Sequence, residues 1–199
     1  MSSNTHSMER DVARNGLSRL FVDDTGLGPS YRTRLHVVNT RTGAEEVDAA
    51  HRSIMSPAFA PDGFAVAFVE VVDSAVGAGP RAAVFDRVWL HRIGGGADVM
   101  IYQRTVQAKT GGSGLSWSAD GSRLAMSYAG TISVLDPRRT GPALREIRGN
   151  EACWIDPDQV VFTTSDGMVL RLNVTTGAQN IVAQHGTVSQ CATTVSPGT

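Results

Sequence analysis

Short apolar segments recur along the whole chain, separated by turns that contain glycine, aspartate or asparagine. Within many segments apolar and polar residues alternate, which places their side chains on opposite faces of a sheet. Valine is frequent in these segments, and β-branched side chains pack well on a pleated surface. Beyond the first twenty or so residues, no stretch of about ten residues keeps a helical period. The pattern therefore predicts an all-β protein.

One hairpin pattern occurs three times: an apolar strand, a turn of the Pro/Ala-Asp-Gly type, and a second apolar strand. Asp-Gly between two apolar segments is a strong hairpin signal, because glycine accepts the positive φ of the reversal. We expect the aspartates to cap backbone N–H groups of the turn. An aromatic residue precedes each turn, and we predict that these aromatics pack between neighbouring units. The copies span 56–70, 115–128 and, less regularly, 152–167, with the aromatics Phe59, Trp117 and Trp154.

A second hairpin pattern follows each copy of the first, with a glycine at its turn. It occurs four times, at 34–47, 87–102, 131–147 and 169–182. Two hairpins in about 40–45 residues is the period of a four-stranded β-propeller blade.

This arrangement resembles the WD-like β-propeller repeats of TolB-type proteins, in which an aromatic residue, Ser, Pro, Asp and Gly open each blade. The resemblance extends from Leu17 to the end of the chain and is strongest at Ser56–Gly63 and Trp117–Gly121. It implies a β-propeller of four-stranded antiparallel blades that acts as an interaction platform, and it implies a periplasmic location.

The repeats divide the chain into a polar N-terminus, 1–16, predicted to be disordered, and a propeller domain, 17–199. The predicted blades are 17–49, 54–104, 113–149 and 150–185. The first blade lacks its opening strand, and the tail at 187–197 is predicted to pair with it. Such pairing would close a ring of four blades without exposed edges. The alternative is a fragment of a larger propeller.

Composition limits the function further. The chain has 18 Lys+Arg against 19 Asp+Glu and a net charge of −1, which argues against a nucleic-acid partner. Its 41% hydrophobic content excludes a disordered chain. No segment reaches the ~20 apolar residues of a membrane span. The N-terminus lacks the apolar region of a signal peptide, so we expect a cytoplasmic protein, or a periplasmic or secreted one if the chain is a fragment of a TolB-type protein.

Sequence motifs give no catalytic residue, metal site or cofactor site. His36 and His91 align with Ser133 and Leu170 in the repeats, so we interpret their position as a packing position. Gly111–Leu115 departs from the nucleophile-elbow pattern of serine hydrolases, and Gly26–Gly28 lacks the third glycine of a dinucleotide-binding loop. For Cys153 and Cys191, two buried thiols are favoured over a disulfide.

Function is instead predicted at the loops that lead into the innermost strands, which gather at one mouth of a propeller channel. These loops carry His51, Arg52, Ser113, Asn150, Glu151 and His185. Their polar, mixed-charge character predicts a non-catalytic module that holds a protein or peptide partner. One alternative is the accessory propeller of a prolyl-oligopeptidase-like serine hydrolase, without its catalytic domain. Another is a propeller lyase similar to the oligogalacturonate lyases, but His51 and His185 would be too few ligands for its divalent metal.

Overall fold

Four small sheets make up the described part of the protein. A computed structural model describes residues 7–13, 16–25, 32–48, 51, 53–73, 84–106, 114–128, 130–186 and 188. Each sheet has four antiparallel strands in chain order, and we call each sheet a blade. The all-β prediction is therefore confirmed.

The strands follow one another without helices between them in the described residues. Blade 1 contains β1 (Ser7–Val12), β2 (Ser18–Thr25), β3 (Arg32–Asn39) and β4 (Glu45–Asp48). Blade 2 contains β5 (Ile54–Phe59), β6 (Ala65–Asp73), β7 (Val84–Arg92) and β8 (Val99–Val106). Blade 3 contains β9 (Gly114–Trp117), β10 (Leu124–Tyr128), β11 (Thr131–Leu135) and β12 (Arg145–Arg148). Blade 4 contains β13 (Asn150–Asp156), β14 (Gln159–Thr163), β15 (Val169–Asn173) and β16 (Gln179–Ala183).

The first strand of each blade is the innermost strand. β1 contacts β5, β5 contacts β9, and β9 contacts β13. Among the described residues no contact of similar extent joins β13 back to β1. The four blades therefore form an arc around the inner strands.

Apolar side chains fill the space between successive blades, because alternate residues of each central strand face the neighbouring sheet. Leu20 and Leu35 of blade 1 pack against Phe68 of blade 2. Val88 of blade 2 packs with Met126 of blade 3. Between blades 3 and 4 the core contains Ile132, Val134, Phe162 and Leu172, each at most 1% exposed. Burial of such side chains contributes roughly 1.5–3 kcal/mol each, so blade stacking is the main source of stability.

The repeated aromatic residues do lie between blades, as predicted, and two of them also make hydrogen bonds. The indole Nε1 of Trp117 donates to the carbonyl of Ala58, at 3.2 Å. The indole Nε1 of Trp154 donates to the carbonyl of Ser116, at 2.9 Å. Each accepting residue directly precedes the repeated aromatic of the previous blade, Phe59 or Trp117. The aromatics therefore link each inner strand to the one before it.

The turn aspartates behave as predicted in two copies and differently in the third. Asp62 Oδ1 accepts from the N–H of Phe64, and Asp120 Oδ1 accepts from the N–H of Ser122. In the third copy Asp156 caps the turn, and Asp158 accepts from the Thr175 hydroxyl.

The prediction that blade 1 lacks its first strand is wrong, and so, for residues 7–12 only, is the prediction of a disordered N-terminus. β1 (Ser7–Val12) pairs with β2 and is the inner strand of blade 1. It therefore occupies the place assigned to the tail at 187–197. Apart from Val188, that tail lies outside the described residues.

A fourth copy of the first hairpin joins β1 to β2. Ala13 N donates to Ser18 O at 2.9 Å, and Gly16 N donates to Ala13 O at 2.8 Å. In blade 2, Ala60 N bonds to Ala65 O at 2.8 Å and Gly63 N to Ala60 O at 2.9 Å. The first copy was missed in the sequence because Arg-Asn-Gly replaces the Asp-Gly turn and the preceding strand, SMERDV, is polar.

Candidate functional site

The connection from blade 3 into blade 4 and the described segment that leaves blade 4 lie at one end of the blades, which we call the linker face. Gly149, between blades 3 and 4, donates its N–H to the Gly130 carbonyl at 2.9 Å. Gly186, after blade 4, donates to the Gly167 carbonyl at 3.1 Å. Gly130 and Gly167 lie in the turns between the second and third strands of blades 3 and 4, so each connection is fixed to the blade that it leaves.

Hydroxyl groups then fix the start of the next inner strand. Ala152 N donates to Ser127 Oγ at 3.0 Å, and Val188 N donates to Thr163 Oγ1 at 3.2 Å. Ile54 N donates in the same way to Thr33 Oγ1 of blade 1. The N–H of Val188, which follows blade 4, is therefore bound by a hydroxyl of blade 4, just as the N–H of Ala152 is bound by a hydroxyl of blade 3.

Two residues at this face have a strained backbone. Ser56 has φ 46° and Glu151 has φ 49°, and each lies three residues before the repeated aromatic of its inner strand. Both occur where the inner strand bulges away from regular pairing. A non-glycine residue in this region costs on the order of 1–3 kcal/mol, and such residues cluster at ligand sites. Glu151 is exposed.

A second carboxylate lies at the same end of blade 4. Asp166, in the β14–β15 hairpin, accepts a hydrogen bond from the Thr164 hydroxyl. That bond, with smaller contributions that include nearby His185, holds the pKa of Asp166 below its usual value. Asn150 pairs with Thr163, at the base of this hairpin. The linker face of blade 4 is therefore polar and anionic.

The structure brings together only part of the predicted site. Asn150, Glu151 and His185 lie together at the linker face of blade 4, and all three are exposed. His51 does not belong to this surface, since it is only 3% exposed. Arg52 and Ser113 lie outside the described residues.

His51 is instead inserted between blades 1 and 2, where its ring lies against two aromatic side chains. The centroid distances are 4.7 Å to Phe68 and 4.6 Å to Trp89. Its Nε2 lies 2.9 Å from Asp98 Oδ2, and its Nδ1 lies 3.4 Å from Glu70 Oε2. The prediction of a rim position for His51 is therefore wrong, because these aromatic and carboxylate partners hold the ring in the interface.

His91 belongs to the same interface. It is buried, as the packing interpretation requires, but its Nδ1 lies 2.8 Å from Asp98 Oδ1 and its Nε2 lies 3.4 Å from Glu46 Oε1. The sequence pattern did not reveal the partners of either histidine. Glu70 was the available signal, because it ends the otherwise apolar segment FAVAFVE and a buried carboxylate needs a partner.

A further set of polar side chains lies between blades 2 and 3. Arg104 Nε donates to Asp86 Oδ2 at 3.3 Å, and its Nη2 donates to the Tyr128 carbonyl at 3.0 Å. Asp86 has 0% exposure; burial raises its pKa, and the Arg104 guanidinium opposes that change. Tyr102 donates to Glu146 Oε1 at 2.8 Å and also contacts Ser133 Oγ. Arg104 bonds to the Tyr128 carbonyl and Tyr102 to Glu146, so both side chains of blade 2 act as links to blade 3.

Cys153 is disulfide-bonded, which corrects the expectation of two buried thiols. Cys191 is the only other cysteine in the sequence, and it lies outside the described residues. Cys153 lies on β13, next to Trp154, which packs in the core between blades 3 and 4. Since side chains alternate along a strand, the Cys153 side chain lies on the other face of blade 4.

Within the described residues, no group of three or more His, Cys, Asp or Glu side chains is placed to hold a metal ion. His51 and His185 lie in different parts of the arc, at the blade 1–2 interface and on blade 4. No helix in the described part of the chain has the length and apolar character to cross a membrane.

Solved structures with the same arrangement of blades identify the fold as a β-propeller. The β-propeller domain of the trilobed protease from Pyrococcus furiosus, which has an open velcro topology, matches with TM-score 0.67 and 13% identity over 91% of this chain and 58% of that one. A prolyl endopeptidase matches with TM-score 0.66 and 14% identity over 92% of this chain and 29% of that one. An oligogalacturonate lyase in complex with manganese matches with TM-score 0.62 and 20% identity, over 96% and 56%.

The chain thus spans at most 58% of the length of these three neighbours. At such identities the likeness establishes the fold. No family model matches the chain, and no curated protein matches it. The finer resemblance to TolB-type repeats therefore stays a prediction.

Proposed function

We propose that the chain is a non-catalytic propeller module that holds a protein or peptide partner at the linker face of blade 4. The observation that carries this proposal is Glu151, an exposed glutamate whose backbone is held at φ 49°. Exposed strain of this kind is a reason to look for a ligand. Asn150, Asp166 and His185 are further exposed hydrogen-bonding groups on blade 4.

The charge of this surface indicates the chemistry of the partner. Two exposed carboxylates, Glu151 and Asp166, favour a segment with cationic side chains or free N–H donors. The surface is polar and exposed, so we expect modest affinity that weakens with added salt.

A selection of displayed random peptides on the immobilised protein tests this function. We expect basic peptides whose affinity, measured by fluorescence polarisation, falls about tenfold on Glu151→Gln or Asp166→Asn. The matched control is Asp62→Asn, which alters an exposed aspartate at the opposite end of a blade. Peptides that bind all three variants as tightly as the wild-type protein would contradict the proposed site.

A second candidate is the accessory propeller of a prolyl-oligopeptidase-like hydrolase. Two observations favour it. Peptidase propellers are among the structural neighbours, and the N–H of Val188, after blade 4, donates to Thr163 Oγ1 as the N–H of Ala152 on β13 donates to Ser127 Oγ. Mass spectrometry of the native product tests it: this candidate requires a longer chain that reacts with a fluorophosphonate probe for active serine hydrolases. A native chain of 199 residues that does not react with the probe would exclude it.

For location, the disulfide at Cys153 supports an oxidising compartment, the periplasm or outside of the cell, rather than the cytoplasm. Alkylation of free thiols in freshly lysed cells tests this proposal. Protection of Cys153 from the reagent is expected, and full alkylation would favour the cytoplasm.

A further inference from the structure

The interface between blades 1 and 2 contains two buried histidines with a carboxylate facing each of their ring nitrogens. Asp98 bridges the two rings, 2.9 Å from His51 Nε2 and 2.8 Å from His91 Nδ1. On their other sides, His51 Nδ1 lies 3.4 Å from Glu70, and His91 Nε2 lies 3.4 Å from Glu46. His51 and His91 are 3% and 5% exposed, so water screens these contacts poorly.

This geometry determines the protonation state. An ionised carboxylate only accepts hydrogen bonds, so both nitrogens that face Asp98 must carry a proton. A neutral imidazole would then direct the lone pair of its other nitrogen at Glu70 or Glu46, which is repulsive. An imidazolium instead places positive charge beside that carboxylate, at 3.4 Å an attractive ion-pair contact rather than a hydrogen bond. Both contacts of each ring are therefore favourable only when the ring is charged.

The count of charges around the rings agrees with this assignment. Three carboxylates face the pair, Glu46 from β4, Glu70 from β6 and Asp98 from the segment between β7 and β8. Among the described residues, Arg87 of β7 places a guanidinium near Glu70, with Nη1 3.9 Å from a carboxylate oxygen. The His51 ring also contacts the rings of Phe68 and Trp89, and the Trp89 indole donates to Glu70 at 2.9 Å. Within the described part of the chain, more carboxylates than guanidinium groups thus contact this cluster, which favours positive charge on the two rings.

We propose that His51 and His91 form a pH-sensitive clasp between blades 1 and 2, closed while both imidazoles are charged and opened by their deprotonation. Deprotonation removes both positive charges from beside Glu46, Glu70 and Asp98, and loss of a favourable partner of a buried charge is destabilising. The clasp contains Glu46 from blade 1 and the other carboxylates from blade 2, so its loss weakens the link between the two blades.

The direction of the pH effect follows from linkage. The folded chain keeps up to two protons that the unfolded chain releases near pH 6.5, the usual value for histidine. The stability that the clasp contributes is therefore fully present below about pH 6.5. It is lost as the pH rises from there until the folded imidazoles deprotonate.

Urea unfolding of the intact chain at a series of pH values tests the clasp. Between about pH 6.5 and 8, the unfolding constant of the wild-type protein should rise by up to roughly 100-fold per pH unit, tenfold for each retained proton. His51→Gln or His91→Gln should reduce this to about tenfold, and the double variant should remove it. His185→Gln, which changes an exposed histidine outside the clasp, should keep the wild-type slope.

Direct measurement of the protonation state of the imidazoles by NMR tests the proposal even if a variant fails to fold. In wild-type protein labelled with nitrogen-15 at histidine, two rings should show both nitrogens protonated at pH 7.5. The signals of His51 and His91 are assigned by comparison with each single variant that folds, because each variant lacks the signals of one ring. The proposal would be overturned if His51 and His91 each carried only one protonated nitrogen at that pH, or if the double variant left the pH slope unchanged.

Discussion

Replacement of Gly149 by alanine probes how the chain crosses from blade 3 to blade 4. A Cβ at this position would lie 2.6 Å from Phe162 Cδ2, 3.0 Å from the Thr163 carbonyl oxygen and 3.1 Å from Ile132 Cδ1. Phe162 and Ile132 are 1% and 0% exposed, and the carbonyl belongs to the backbone of β14. Neither the core nor the strand can move away freely.

The expected cost follows from these contacts. Overpacking of a filled core costs about 1–3 kcal/mol, and contact with backbone favours the upper part of that range. Alanine recovers about 0.4–1 kcal/mol by restricting the unfolded chain. The net loss for Gly149→Ala should be about 2 kcal/mol. Urea unfolding followed by tryptophan fluorescence measures it, because Trp154 lies in the same interface.

Gly186 offers a matched control. It makes the equivalent bond to Gly167, but a Cβ there would meet only Val169 Cγ2, at 3.2 Å. We expect Gly186→Ala to change the free energy of unfolding by less than ~0.5 kcal/mol. Equal losses in the two variants, or a Gly149→Ala protein as stable as the wild type, would refute the steric argument.

Three further predictions concern the links between and within blades. Trp154→Phe should lower the free energy of unfolding by about 1–3 kcal/mol, through the lost indole bond and the smaller ring. Trp117→Phe should cost less, because its bond is longer, 3.2 Å against 2.9 Å; urea melts of both variants would show whether this order is reversed. Reduction of the Cys153 disulfide should cost up to ~4 kcal/mol for a loop of about 40 residues, seen as a lower urea midpoint in dithiothreitol, and an unchanged midpoint would contradict it. Because burial raises the pKa of Asp86 from 3.8, the folded chain binds an extra proton just above that pH. The free energy of unfolding should therefore fall as the pH rises through this range, and Asp86→Asn should lose that part of the slope in acid urea melts.

The sequence alone was sufficient for the class of fold and for much of the local geometry. Hairpin turns depend on a few residues in order, so the capping role of Asp62 and Asp120 could be assigned from the turn residues themselves. The repeated aromatics at Trp117 and Trp154 could be placed between blades for the same reason. The turn at Ala13–Gly16 was missed because its Arg-Asn-Gly departs from the Asp-Gly pattern, although the spacing to its glycine is the same.

Part of the candidate site was also predictable. Asn150, Glu151 and His185 follow directly from their position before or after a repeated strand. The strain at Glu151 could not be predicted, because a bulge depends on how two strands pair and not on one residue. The wrong placement of His51 has a similar origin, since its neighbour Asp98 belongs to a different hairpin.

Local pattern therefore determined the number of blades and most of the strands and turns, with β1 and its turn as the exception, because period, turn residues and β-branched content act over a few neighbouring positions. Tertiary structure decided which residues meet across the blades. Only the stacking of blade 1 on blade 2 brings Glu46, His51, Glu70, His91 and Asp98 together, and only there does burial make their charges depend on one another. Tertiary structure also decided that, among the described residues, the arc stays open between β13 and β1. The pattern of a single repeat does not contain this information.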